Sequence, residues 1–92
     1  MDVYAQIIEK IIQAQEAIIG PVAIEQAERV PHLTLNWDKH QVSIDGNEPE
    51  AVNALIDVYS AIFGQISKEV SKEAASPLLG KLSGDKLPSA LR

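Results

Sequence analysis

The spacing of the apolar residues changes twice along this chain. Over residues 3–19 they recur every three or four positions, over 33–44 they alternate with polar residues, and from Val52 the helical spacing returns. The first spacing is typical of a helix with one buried face, and the alternation is typical of a half-buried strand. The order therefore predicts an α+β domain over residues 1–75, built as helix, helix, β-hairpin and long helix, followed by a tail over 76–92.

The first predicted helix, residues 3–19, is apolar over a wide face. Its apolar residues cover roughly half of the helix circumference, whereas a surface helix needs a stripe of only about 100°. We interpret the excess as a helix covered from two directions, by its own domain and by a partner chain. Tyr4, Ile8 and Ile12 on this face are candidate interaction residues.

Gly20 and Pro21 separate the first helix from a shorter one over residues 22–30. Glycine at a helix end adopts the positive φ that closes the last turn, and proline is tolerated at the start of the next helix. Pro31 predicts the end of this second helix, because proline disfavours a helical conformation in the residue before it.

The alternating segment predicts a β-hairpin with one buried face. Leu33, Leu35 and Trp37 share that face in the first strand, and Val42 and Ile44 share it in the second. A two-residue loop at 38–39 and a four-residue loop over 38–41 both keep the faces consistent, so the register stays open. Trp37 is predicted to anchor the core, or to join a partner-facing patch at the strand end.

The last predicted helix begins at Asn47, a favourable N-cap with Glu50 three residues later. It is expected to run without interruption to about Ala75, with Gly64 on its polar side. Its expected buried stripe consists of Val52, Leu55, Ile56, Tyr59, Ile62, Phe63, Ile66, Val70 and Ala74.

The tail, residues 76–92, combines leucines with a positive charge balance. Lys81, Lys86 and Arg92 stand against Asp85. Disorder and docking onto a protein surface are both compatible with this composition. If the tail docks, its candidate interaction residues are Leu78, Leu79 and Leu82.

Composition excludes several classes of function. The net charge is −5 and no basic stripe is present, so nucleic acid is not an expected partner. The chain has no cysteine, which excludes disulfides and thiolate metal sites and fits a cytoplasmic protein. No apolar run reaches the roughly 20 residues that span a bilayer, so no membrane partner is expected. The sequence predicts no cofactor and no metal.

A catalytic alternative rests on the hairpin. His40 lies close in sequence to Asp38 and Asp45, which is the minimum that an acid–base or metal site requires. The spacing matches no zinc or hydrolase pattern, and a solvated turn histidine explains it better. We therefore expect no catalytic residues.

The string IIGPVAIEQAERV resembles a helix–Gly-Pro–helix signature found in small modules of bacterial signalling proteins, for instance at the C-termini of some serine/threonine kinases. The matching residues are Ile19, Gly20, Pro21, Ala23 and Ala27. The resemblance implies a non-catalytic module that assembles or tethers signalling proteins.

These observations predict a non-catalytic protein–protein interaction or regulatory module that acts as a homodimer. A two-stranded sheet is marginal alone, and pairing its edge across a two-fold axis would enlarge the core. The alternatives are a dimer that senses a small molecule, and a small enzyme that uses His40 with Asp38 or Asp45.

Overall fold

The computed structural model describes residues 2–91; Met1 and Arg92, the last cation of the predicted tail, lie outside them. Four α-helices and one hairpin make up the fold. They are α1 (Val3–Ile19), α2 (Val22–Ala27), β1 (Leu33–Asn36), β2 (Gln41–Ile44), α3 (Glu48–Phe63) and α4 (Gln65–Leu79). Short 3-10 turns lie between the two strands, at Trp37–Lys39, and after α4, at Gly84–Lys86 and Ser89–Leu91.

The predicted α+β class is wrong, because the domain is predominantly helical. About 70% of the chain is helical when the 3-10 turns are included, and β1 and β2 form a two-stranded sheet of four residues each. The helices number four where three were predicted, since the long helix is divided in two. The hairpin is therefore an addition to a helical core and not one of its layers.

α1 has the predicted bounds, and both of its ends have local causes. The Asp2 carboxylate accepts a hydrogen bond from the Ala5 amide at 2.9 Å, which caps the first turn. Gly20, at φ 73°, closes the last turn by donating its amide proton to the Glu16 carbonyl. The second helix is shorter than predicted: α2 ends at Ala27, and a turn carries the chain to the buried Val30.

The hairpin register is the one that the two-residue loop requires. Leu33 pairs with Ile44, and Asn36 pairs with Gln41. Strand pairing stops there because the next residues form a 3-10 turn that His40 closes in the left-handed conformation, at φ 50°. Leu33 and Val42 are buried against the helices, so the predicted buried face is confirmed at these positions.

The uninterrupted helix from Asn47 to Ala75 is also wrong. Asn47 caps α3 as predicted, its side chain accepting from the Glu50 amide at 3.0 Å. The helix ends at Phe63, however, because Gly64 adopts φ 82° and ψ −166°, and α4 starts at Gln65. α4 then continues past Ala75 and through Pro77 to Leu79, where Leu78 and Leu79 pack against the core.

The break at Gly64 changes which side chains of α4 are buried. The predicted stripe holds for Val52, Leu55, Ile56 and Tyr59 of α3, all of them buried. Beyond them the stripe fails at Ile62 and Ile66, which are exposed, whereas Phe63 is partly buried and packs against the core. The buried face of α4 is instead formed by Ser67, Ser71 and Ala75.

α1 lies at the centre of the fold and contacts α2, α3, α4 and β2. Its own chain therefore covers the wide apolar face that suggested a partner. Ile8 and Ile12, predicted as interaction residues, are both fully buried in the core. A helix that is apolar over half its circumference is, in this fold, a core helix surrounded by other elements of the same chain.

Residues 80–91 dock onto the helical core. The Ala90 amide donates to the Asn53 side chain of α3 at 2.9 Å, and Pro88 and Leu91 are buried. Tyr4 of α1 donates its hydroxyl proton to the Lys86 carbonyl at 2.9 Å. The sequence is compatible with a disordered tail and with a docked tail, and in the structure residues 80–91 are docked.

Candidate functional site

The two helix breaks share one backbone conformation. Gly20 has φ 73° and ψ −155°, and Gly64 has φ 82° and ψ −166°. Each glycine donates its amide proton to the carbonyl four residues earlier and accepts from the amide three residues later. These angles fall in a region of conformational space that only glycine adopts readily. α1–Gly20–α2 and α3–Gly64–α4 are thus two copies of one helix–glycine–helix unit.

Reciprocal hydrogen bonds join the two units. Gln15, five residues before Gly20, donates to the carbonyl of Ser67, three residues after Gly64, at 2.9 Å. Tyr59, five residues before Gly64, donates to the carbonyl of Ala23, three residues after Gly20, at 2.6 Å. An exchange in which each unit contacts the other through equivalent positions is the mark of a two-fold arrangement. The two units therefore contact each other through equivalent residues.

The buried residues follow the same correspondence. Ile7, Ile8, Ile11 and Ile12 of α1 match Ala51, Val52, Leu55 and Ile56 of α3, and all eight are buried. The sequence carries a trace of this repeat, since AIIGPVAIE at residues 17–25 and AIFGQISKE at 61–69 are identical at four of nine positions. Helical periodicity does not reveal this repeat, whereas comparison of the chain with itself does.

Both units expose large aliphatic side chains at equivalent positions beside their glycine. Ile18 and Ile62 lie two residues before the glycines and are 62% and 51% exposed, and Val22 and Ile66 lie two residues after them and are 39% and 78% exposed. Because Gln15 contacts Ser67 and Tyr59 contacts Ala23, both breaks lie at the same end of the molecule, and each of the four side chains lies within two residues of a break. We call these four residues the glycine-break patch.

The flanks of the glycine-break patch are polar and partly acidic. Glu25 and Glu69 occupy equivalent exposed positions, one turn beyond Val22 and Ile66. Gln65 donates to the Glu69 carboxylate at 3.0 Å along the exposed side of α4. The patch therefore has an uncharged apolar centre and polar flanks.

The interaction residues predicted on α1 and the hairpin have other roles in this fold. Tyr4 is partly buried and is held by Lys86, as described above. Trp37 lies in the turn that follows β1, partly buried, and its indole N–H donates to Glu16 of α1 at 3.3 Å. Leu78, Leu79 and Leu82 are partly buried and pack against the core. None of them joins the glycine-break patch.

His40, the basis of the catalytic alternative, takes part in packing at the hairpin tip. Its ring lies 4.6 Å from the Trp37 ring, centroid to centroid, and its Nδ1 is 3.2 Å from the Gln13 amide nitrogen. No carboxylate contact of His40 is found within residues 2–91. Over the same residues, no three His, Asp or Glu side chains converge as metal ligands.

Two carboxyl groups lie close together where α1 and α3 begin, at the end of each unit that is away from its glycine break. The pKa of Glu48 is raised, most by hydrogen bonding to the Asp2 carboxyl group, with partial burial and the negative charge of Asp2 adding to the effect. A bond between two carboxyl groups requires a proton on one of them. The pair therefore favours a protonated Glu48 in the folded state.

This pair predicts a pH dependence of stability. Because the pKa of Glu48 is higher in the folded than in the unfolded chain, the folded state retains the proton longer as pH rises. The stabilising contribution is present in full below the unfolded value of about 4.3 and is lost as pH rises through the raised value.

Urea unfolding between pH 3.5 and 7 measures the effect. We expect Glu48→Gln, which retains a hydrogen-bond donor, to be more stable relative to wild type at pH 7 than at pH 3.5. Glu50→Gln, in the same helical turn, is the matched control and should not show this trend. Parallel pH profiles for wild type and Glu48→Gln contradict the interpretation.

No helix within residues 2–91 is both long enough and apolar enough to cross a membrane. Comparison of the chain with protein-family models, with curated proteins and with solved structures finds no match.

Proposed function

We propose that this protein is a non-catalytic interaction module that docks another protein chain through the glycine-break patch. The observation that carries the proposal is the exposure of Ile18, Val22, Ile62 and Ile66 at equivalent positions of two units. Summed over the four residues, the exposed surface is on the order of 400 Å², and large exposed apolar surfaces are often functional.

Exposure at these positions has no benefit for the folding of the isolated chain. A side chain that remains in water contributes little to the hydrophobic stabilisation of the fold. Ile66 is the most exposed of the four, and its replacement by a polar residue is therefore compatible with folding. Four exposed branched aliphatic residues at equivalent positions beside the two breaks favour a partner that covers them.

A regulatory or signalling role rests on the resemblance of residues 17–30 to modules of bacterial signalling proteins. In that interpretation Gly20 and Pro21 shape the docking surface and do not themselves bind. Location in the cytoplasm is part of the same proposal and is supported by the lack of cysteine.

Site-specific photo-crosslinking tests the docking surface. A benzophenone side chain at Gln65, exposed beside Ile66, is expected to form adducts with whatever chain covers the patch. The same group at Lys39, exposed on the hairpin tip, is the control and should form few.

The second arm of the experiment introduces Ile66→Glu into the Gln65 crosslinking variant. We expect the adducts to disappear while circular dichroism shows an unchanged fold. Equal crosslinking from Gln65 and Lys39, or adducts that survive Ile66→Glu, contradict the proposal.

A further inference from the structure

We propose that Gly64 is a switchable break, through which two copies of this protein exchange their C-terminal arms. The C-terminal arm is defined as residues 65–91, which comprise α4 and the docked segment after it. In the exchanged form α3 and α4 join into one continuous helix, and the arm of each chain packs on α1 of the other. The proposal does not rest on the docking function of the glycine-break patch.

The residue after each glycine distinguishes the two breaks. Pro21 follows Gly20, and a proline inside a helix removes a backbone hydrogen bond and clashes with the preceding turn. A continuous helix through α1 and α2 is therefore disfavoured. Gln65 follows Gly64, and glutamine is a favourable helix residue with its backbone N–H available. Of the two equivalent breaks, the one at Gly64 is thus the one that can straighten.

The connection between α3 and α4 is one residue long. α3 ends at Phe63 and α4 begins at Gln65, so a change in φ and ψ of Gly64 alone converts the bent form into the straight one. The helical spacing of apolar residues continues across the break, from Val52 to Ala74, and is compatible with the straight form as well. Short connections favour the exchange of elements between copies, because a short connection restricts how an element can pack on its own chain.

The contacts of the arm can pass unchanged from one chain to two. Gln15 of α1 donates to the Ser67 carbonyl at 2.9 Å and to the Ser71 hydroxyl at 3.1 Å. The arm also contributes buried apolar residues, namely Ala75, Pro88 and Leu91. Straightening in an isolated chain exposes all of these groups, whereas a second copy restores every contact. The interface between the copies is then the whole interface of the arm and is not limited to exposed side chains.

The charge of the arm favours the same pairing. Residues 65–92 contain five basic and three acidic residues, whereas residues 1–64 contain three basic and ten acidic ones. A basic segment therefore packs on an acidic body, whether the body belongs to its own chain or to the other. The remaining repulsion between two chains of net charge −5 is screened by salt. High salt and high protein concentration should therefore favour the exchanged dimer.

Size-exclusion chromatography of the purified full chain tests the proposal. The chain is held at about 1 mM in about 0.5 M NaCl, roughly 10 °C below its unfolding midpoint, and is then cooled and diluted about fiftyfold. Because the arm must detach before it can exchange, a dimer formed on warming should persist for hours in the cold after dilution.

Variants at the two breaks supply the controls. Gly64→Ala is expected to raise the dimer fraction at least about fivefold, because alanine favours the straight helix. A Gly-Gly-Ser-Gly insertion after Gly64 should lower it by about as much, because a longer connection lets the arm pack on its own chain. Gly20→Ala places alanine in the equivalent strained conformation, but Pro21 opposes straightening, so the fraction should stay within about twofold. Circular dichroism confirms that each variant folds.

Isotope-filtered NOEs identify the element that is exchanged. Labelled and unlabelled chains are mixed in equal amounts and warmed together. We expect the contact between Gln15 and Ser71 to appear between different chains, because the arm of one chain packs on α1 of the other. Tyr59 and Ala23 both lie outside the arm, so their contact should remain within one chain and is the internal control.

Three results overturn the proposal. The first is a wild-type chain that remains monomeric after warming. The second is a dimer fraction that Gly20→Ala raises as much as Gly64→Ala does, which would attribute the dimer to general destabilisation. The third is a dimer in which Gln15 and Ser71 contact each other only within one chain. The docking function is tested separately, by crosslinking from Gln65.

Discussion

Replacing Gly64 with alanine is expected to destabilise the protein by about 1–3 kcal/mol, and Gly20→Ala by a similar amount. Both glycines lie at positive φ with ψ near −160°, where a Cβ atom clashes with its own backbone. No other atom lies within 4 Å of the position that the new methyl group would take at either site. The cost is therefore conformational and not steric crowding with the rest of the fold.

Gly64→Ala has a second consequence. Alanine is the best helix former, and glycine within a helix costs about 1 kcal/mol relative to it. The substitution therefore favours a continuous helix through α3 and α4, which is incompatible with the contact between Gln15 and Ser67. We expect the variant to lose cooperativity of unfolding as well as stability.

Gly80 provides the matched control for both substitutions. It has φ −64° and ψ −13°, a right-handed conformation that any residue adopts, and open space around it. Gly80→Ala should be neutral or stabilising by about 0.4–1 kcal/mol, because it reduces the entropy of the unfolded chain. Urea unfolding followed by circular dichroism measures all three. A loss at Gly80 equal to that at Gly64 would show that strain at the breaks is not the cause.

Truncating Ile12 to alanine is expected to cost about 2–5 kcal/mol, the largest effect that we predict for a conservative substitution. Ile12 is fully buried, and removing three carbon atoms leaves a cavity that the surrounding helices fill only partly. A domain of this size has a total stability of the order of 5–14 kcal/mol, so the variant loses a large share of it.

Ile66→Ala is the control for Ile12→Ala, since it is the same truncation at a side chain that is 78% exposed. We expect a change within about 0.5 kcal/mol when unfolding is measured at a concentration where the chain is monomeric. The two variants separate the residues that stabilise the core from those that the docking proposal needs. Similar losses at both positions would mean that Ile66 is covered by its own chain in solution.

The local signals of the sequence predicted local structure well. α1 begins and ends where its pattern indicates, Asn47 caps α3, and the buried face of the hairpin is confirmed at Leu33 and Val42. Each of these depends on side chains and backbone groups within four residues of one another, or on a periodic pattern that one segment contains.

The division of the last helix was not predictable from the same signals. Gly64 lies on the polar side of an otherwise continuous helical pattern, and a glycine there costs a helix only about 1 kcal/mol. The decision depends on contacts distant in sequence, because Ser67 and Ser71 pack on Gln15 only when the chain breaks. The same break moves Ile62 and Ile66 out of the expected core and into the candidate docking surface.

The candidate site was missed for a related reason. A sequence does not show whether an apolar side chain is exposed or buried. The helical spacing of Ile62 and Ile66 therefore placed them in the predicted buried stripe. Ile8 and Ile12 of α1 show the opposite error, since they were predicted to face a partner and are buried. The apolar face of α1 is wider than one stripe because three other helices of the same chain cover it. The similarity between AIIGPVAIE and AIFGQISKE is the sequence signal that could have indicated the candidate site.

The sequence by itself determined where α1 begins and ends, how α3 is capped, and that a half-buried hairpin follows two helices, because these features arise from neighbouring residues. Only the tertiary structure decided that the chain is predominantly helical, that Gly64 breaks its helix with the same backbone conformation as Gly20, and which isoleucines are exposed to solvent. Those outcomes depend on how two distant helix–glycine–helix units pack together, and their free energy comes from contacts between the units and not from either unit alone.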